Sequence, residues 1–213
     1  MTRDEAVARI LERLGFRSGL TTTIQGALQE AQKELETAVE LPWFLKSEYS
    51  SITTTANEER VAIPSDFLRE LEDDDTLQYY DAEEEIWIAL GKELPQIARQ
   101  EWQGYTGVRW PRKYSLDNLY FRLYPTPDDS YILRMQYYKS DDILDSDIEN
   151  LWLTHRPNLL IGRAGIHVAA ALHDDRALRY FAGLVTEQSD VMQKEEIARE
   201  QAGSSKMVRG EED

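Results

Sequence analysis

Apolar residues recur through the first forty positions at steps of three and four. Val7, Ile10, Leu11 and Leu14 share one face, and Ile24, Leu28, Ala31, Leu35 and Ala38 share another. That period predicts two amphipathic helices. Thr2 and Glu5 have capping-box spacing, and Thr22 with Gln25 offers a second box. Gly15 and Pro42 mark the helix ends. From residue 48 the period shortens to two. Residues 48–55, 60–64, 76–80, 86–90, 113–116, 119–124 and 131–138 read as short strands separated by Gly, Pro, Asp and Asn. Residues 93–102 read as a short helix weakened by Pro95. Beyond residue 140 the helical period returns. Leu160, Ala164, Val168 and Leu172 follow at steps of four, with Ile161, Gly165 and Ala169 beside them; Leu178, Phe181, Val185 and Met192 mark a further helix. After about residue 194 the apolar period is lost and Gly, Ser and charge take over.

The pattern predicts an α+β protein. Residues 1–45 and 141–194 are expected to form a four-helix bundle, because neither hairpin can bury its stripe alone. Residues 46–140 form an inserted antiparallel β domain, and residues 195–213 a flexible C-terminal tail.

Composition narrows the function classes. The 213 residues carry 40 acids against 24 Lys and Arg, a net charge of −16. Affinity for a phosphate backbone is dominated by Lys and Arg, so a general nucleic-acid binder is not expected. A channel lined with carboxylates would instead let a duplex slide without adhering. Cysteine is absent, which excludes disulfides, thiol catalysis and cysteine–zinc sites. No apolar run approaches a membrane span, and the charged opening helix lacks the apolar core of a signal peptide.

Little in the chain specifies catalysis. His155, His167 and His173 do not show the i, i+4 spacing of helical metal ligands. No phosphate loop or nucleophile elbow occurs, and no cofactor or metal is expected. Residues 58–85 hold twelve acids against two basic residues, and Asp141, Asp142, Asp145, Asp147 and Glu149 form a second run. Paired carboxylates could hydrolyse a glycosidic bond, but only with one of them buried, and runs of this kind are solvated. Trp102, Tyr105, Trp110 and Tyr114 lie near Arg109, Arg112 and Lys113. Aromatic residues with Arg are what interface hot spots favour, so Trp110, Arg112 and Lys113 are candidate contact residues. A host-surface or glycan-binding module, or a cell-wall glycan hydrolase, are the alternative readings.

Three stretches carry a family resemblance. They are Leu41-Pro42-Trp43-Phe44, Val61-Ala62-Ile63-Pro64-Ser65-Asp66-Phe67, and Asn150-Leu151-Trp152-Leu153 followed by Pro157-Asn158-Leu159-Leu160 and the Ala-rich helix to Asp174-Asp175. With the order of elements, they resemble the head–tail adaptor (connector) proteins of tailed bacteriophages, in particular those of short-tailed phages with a β insertion. The resemblance implies a structural protein of the virion neck, made in the host cytoplasm, without enzymatic activity. It implies a ring, commonly of twelve subunits, beneath the portal protein, with the β module towards the tail tube, nozzle or fibres and DNA passing through the lumen. It implies a portal-binding C-terminal segment, here Arg199, Lys206, Met207, Val208 and Arg209. Trp110, Arg112 and Lys113 would then face the tail, and Asp73, Asp74, Asp75, Asp141, Asp142 and Asp145 are candidates for the channel lining.

Overall fold

The computed structural model of the chain describes residues 1–38, 40–71, 76–103, 107–142, 144–145 and 149–204. It is α+β, with six α-helices and three sheets among the described residues. The chain divides into two compact units, one of Met1–Leu45 with Asp141–Asp213 and one of Lys46–Ser140.

In the helical unit, α1 (Arg3–Arg13) opens with the capping box: Thr2 Oγ1 accepts from the Glu5 amide, and the Glu5 carboxylate accepts from the Thr2 amide. Its end is a Schellman turn. The Phe16 amide donates to Leu11 O (2.8 Å) and the Gly15 amide to Glu12 O (3.2 Å), with Gly15 at φ +72°. Helix α2 (Thr21–Glu36) starts one residue before the Thr22 box, and no side chain caps it. It stops six residues short of Pro42, where the Thr37 hydroxyl donates to Glu34 O (2.9 Å). A 3₁₀ turn at Trp43–Leu45 follows.

After the β unit the chain forms α4 (Leu151–His155), a short helix that the apolar period did not signal, and then α5 (Pro157–Ala171) and α6 (Asp175–Ser204). Pro157 sits in the first turn of α5, where its missing N–H costs nothing. A second Schellman turn closes α5: the Asp174 amide donates to Ala169 O (2.9 Å) and the His173 amide to Ala170 O (3.1 Å). Helix α5 is the centre of this unit and packs on α6, α2, α1 and α4. Its Leu160, Ala164, Val168 and Ala169 are buried together with Ile10, Leu28, Ala31 and Phe181.

The tail expected from residue 195 is helical as far as Ser204. Polar contacts account for this and leave no apolar period to read: Arg156 pairs with Glu195, and the Arg199 guanidinium lies 4.0 Å from the Trp43 ring centre.

The second unit holds β1 (Ser50–Thr53), β2 (Arg60–Ala62), β3 (Phe67–Glu70), β4 (Leu77–Asp81), β5 (Ile86–Ala89), β6 (Gly91–Lys92), α3 (Pro95–Glu101), β7 (Lys113–Asp117), β8 (Tyr120–Tyr124), β9 (Ile132–Met135) and β10 (Tyr137–Lys139). Two four-stranded sheets run β1-β9-β4-β5 and β2-β8-β7-β6, and β10 pairs with β3. Every pairing is antiparallel except β6 with β7. The single strand expected at residues 131–138 divides at Gln136, where its two halves join different sheets. Leu77, Tyr79, Tyr114, Phe121, Leu123, Leu133, Met135 and Tyr137 form the core. Its buried hydroxyls are satisfied: Tyr114 donates to Glu70 and Tyr137 to Asp66, both at 2.8 Å. Burial, with that Asp66 contact, pushes the Tyr137 phenol up to about 12.

Candidate functional site

The segment entering α4 is held by a buried polar network. Glu36, at the end of α2, accepts through Oε1 from Gln32 Nε2 (2.9 Å), the Asp141 amide (3.1 Å) and Trp152 Nε1 (3.3 Å). Asn150 donates to Gln32 Oε1 (3.2 Å) and Asp142 O (3.1 Å), and its own Oδ1 accepts from the Leu153 amide (3.0 Å). Asp141 Oδ2 accepts from the amides of Leu151 (2.5 Å) and Trp152 (3.2 Å), so its carboxylate faces the start of α4. Asp142 is exposed, and Asp145 pairs with Arg3 at 3.2 Å. Of these three candidate channel acids, Asp142 alone is both exposed and without an ion pair among the described residues. Asp73, Asp74 and Asp75 lie outside the described residues.

Burial raises the pKa of Asp141, against backbone hydrogen bonds from Trp152, Asp142 and Leu151 that lower it. A carboxyl with a folded pKa above its unfolded value costs stability where it is ionised in the folded chain. That cost is relieved as pH falls through the folded pKa towards the ordinary value of 3.8. Asp141→Asn removes the charge and keeps an acceptor. The melting temperature of the wild type should therefore gain on that of the variant as pH is lowered from neutrality towards 3.8. A gap that stays constant across the range would remove Asp141 from the pH response.

Next to this network lies an aromatic group. His155 stacks on Phe44 with ring centres 5.0 Å apart and meets Trp43 edge-on at 5.1 Å, while Phe44 meets Trp152 edge-on at 5.1 Å. Arg199 covers Trp43 from α6. This group links the 3₁₀ turn, α4 and the last turns of α6. Lys206, Met207, Val208 and Arg209 lie outside the described residues. Sequence reading picked out Arg199, and Trp43 within the Leu41–Phe44 stretch, but did not pair the two and passed over Glu36 and Gln32. Their signal was a Gln and a Glu at i, i+4 late in α2, which reads equally well as a solvated face.

In the β unit, Trp110 is half-buried and stacks on Tyr79 with ring centres 5.2 Å apart, and the exposed Arg112 lies 4.5 Å from the Trp110 ring centre. Lys113 is held between Glu101 (2.9 Å) and Glu93 (3.1 Å), and the hydrogen bonds it donates to Glu101 and then Glu93 raise its pKa. Arg112 and the outer edge of Trp110 are thus displayed, while the charge of Lys113 is already matched. Among the described residues no group of three or more His, Asp or Glu side chains is gathered for a metal ion, and no helix is long and apolar enough to cross a membrane.

Comparison with protein families gives a match over residues 1–209 to the SU10 adaptor protein. The chain belongs to that family. The match agrees with the resemblance to phage head–tail adaptors carried by the Leu41–Phe44, Val61–Phe67 and Asn150–Leu160 stretches. An adaptor of this family is a structural bacteriophage protein, which implies a place in the virion and association with portal and tail proteins in general. No curated protein matches the chain. In the adaptor, all three resembling stretches lie at described positions: the first forms the aromatic group with Trp152, the second enters β3, and the third forms α4 and opens α5.

Proposed function

We propose that the chain is a head–tail adaptor that assembles as a ring of twelve beneath the portal, joins it to the tail and lines the DNA channel. The family match over nearly the whole chain carries this reading. In it, α1, α2, α5 and α6 act as a four-helix bundle that forms the body of the ring, and the β unit reaches the tail tube, nozzle or fibres through Trp110 and Arg112. Arg199 on Trp43 ties down the last turns of α6, just before residues 205–213 in the chain. Met207 and Val208 serve as apolar anchors for the portal, with Lys206 and Arg209 as hydrogen-bond donors. Asp142 and the 72–75 acids contribute negative charge to the lumen, where DNA passes without adhering. No step of this role needs catalysis.

Mass determination by light scattering, with the adaptor alone and mixed with the portal protein of the same genome, tests the reading. A stoichiometric ring on the portal is expected. The double substitution Met207→Asp/Val208→Asp should abolish portal binding and leave the circular dichroism melt unchanged. Portal binding by that variant at wild-type strength would remove the tail from the mechanism. A chain that ignores the portal altogether would overturn the adaptor role and favour a surface-binding module centred on Trp110.

A further inference from the structure

The two Schellman turns described above, at the ends of α1 and α5, border one cleft. It has a volume of about 540 Å³ and is lined by the end of α1, the Gly15 turn and the first turns of α6. In a chain of net charge −16, this cleft gathers Arg13, Arg17 and Arg176 against Glu12 and Asp174. Asp174 is already committed. Its Oδ1 caps the Ala177 amide (3.1 Å) and its Oδ2 pairs with Arg17 (3.2 Å). Arg13 lies 4.6 Å from the Tyr180 ring centre, a contact that leaves its charge unneutralised. Neither Arg13 nor Arg176 has a carboxylate partner among the described residues. Between the lining residues Gly15 and Arg17 stands Phe16, 74% exposed, at φ +54° and with its amide hydrogen-bonded to Leu11 O. A non-glycine residue in the left-handed region is uncommon, and here it displays a large apolar ring to solvent. Arg and Tyr lining one concavity, with an exposed Phe beside it in the chain, is the composition of an interaction hot spot.

The chain carries a complementary element. The turn between β4 and β5 presents Asp81, Glu83, Glu84 and Glu85, all at least partly exposed, followed by Ile86 at 46% exposure. Asp81 Oδ1 accepts from the Glu83 and Glu84 amides (2.9 and 3.4 Å), which tightens the turn, and none of the four carboxylates has an ion pair among the described residues. We propose that the Arg13–Arg17–Arg176 cleft is a socket for an acidic segment of a second copy of this chain, namely the β4–β5 turn. Glu83, Glu84 and Glu85 meet the guanidinium groups, and Ile86 meets Phe16. The inference rests on the ring reading, which supplies the second copy. Guanidinium pairs carboxylate bidentately, which suits a recognition site that must fix the register between neighbours.

The test uses the full-length chain and a cyclised octapeptide covering residues 80–87, titrated by calorimetry at low and high salt. Saturable binding is expected at low salt. Arg13→Ala/Arg176→Ala, two exposed positions, should weaken it at least about tenfold, as should Glu→Gln at the three glutamates of the peptide. Raising the ionic strength should weaken it further. Phe16→Ala should weaken peptide binding and leave any binding of inorganic phosphate unchanged. Absent binding, binding indifferent to the arginines, or phosphate competing as strongly as the peptide would each overturn the proposal, the last by making the cleft a general oxyanion site. The titration does not depend on the portal. A chain that binds the peptide but never assembles on the portal therefore supports the socket and overturns the ring.

Discussion

Glu36→Ala is expected to lower the melting temperature of the helical unit by about 8–15 °C. The Glu36 carboxylate is 8% exposed, and one of its oxygens accepts three hydrogen bonds, from Gln32, the Asp141 amide and the Trp152 indole. Trp152 is 1% exposed, so water cannot replace the acceptor there. Leaving a buried donor unpaired costs about 1–3 kcal/mol, and two donors here, the Asp141 amide and the Trp152 indole, have no other acceptor among the described residues, which gives about 3–5 kcal/mol in all. In a chain of this size each kcal/mol shifts the melt by about 2–4 °C. Glu36→Gln keeps one acceptor oxygen and should lose less than half as much. Two-unit chains can melt in two steps, so the helical transition is followed by far-ultraviolet circular dichroism. Equal losses in the alanine and glutamine variants would mean that the charge matters and the hydrogen bonds do not.

The contrast between that network and the strands shows what the sequence makes legible. Period-two alternation placed Tyr131, Leu133, Met135 and Tyr137 on one face; the last three are buried and Tyr131 is half-buried. The same rule put Leu119 with Phe121 and Leu123, yet Leu119 is 69% exposed, because it is the second residue of the turn between Asp117 and Tyr120, which opens on Asn118 at φ +56°. The Thr2–Glu5 box was readable because both partners lie within one turn. The Thr22–Gln25 box was not used, since α2 begins at Thr21 with its first turn uncapped by a side chain. Strand β3 was missed because Phe67–Glu70 carries no alternation of its own and is specified by pairing with β10, about seventy residues away. Long-range polar contacts left the least trace. Glu36 to Trp152, Arg156 to Glu195 and Arg199 to Trp43 join residues that are individually ordinary, and each is identifiable only once the helices are packed. The family itself was readable, because its motifs are contiguous stretches that a single chain displays in order.

Gly165→Ala is the second large effect, expected to cost about 3 kcal/mol, the upper end for overpacking. A Cβ at Gly165 would fall 2.5 Å from Cδ1 and Cγ of Phe181 and 2.6 Å from Cδ2. The ring is fully buried and cannot swing into solvent, so α5 and α6 must move apart. Gly162 is almost as tight, with a Cβ 2.8 Å from Val185 Cγ2, but that contact is a single methyl on a side chain that is 8% exposed and can yield. Gly162→Ala should therefore cost less than Gly165→Ala, even though alanine is intrinsically the better helix former at both positions. Phe181→Leu, which opens a cavity, should be destabilising alone by about 1–2 kcal/mol. Combined with Gly165→Ala it should be less destabilising than the sum, because the smaller side chain makes room for the added methyl. A coupling of at least about 1 kcal/mol in this double-mutant cycle would localise the strain at the α5–α6 contact. Strict additivity would mean that the helices separate by a rigid shift and that Phe181 is not what opposes the methyl. The sign matters for assembly as well as for stability. Helix α6 carries both the cleft at its start and Arg199 near its end, so a displacement at Phe181 moves the cleft and the Arg199–Trp43 contact together. A Gly165→Ala adaptor that stays folded at low temperature should for that reason bind the portal more weakly than wild type, and Phe181→Leu should restore part of that loss.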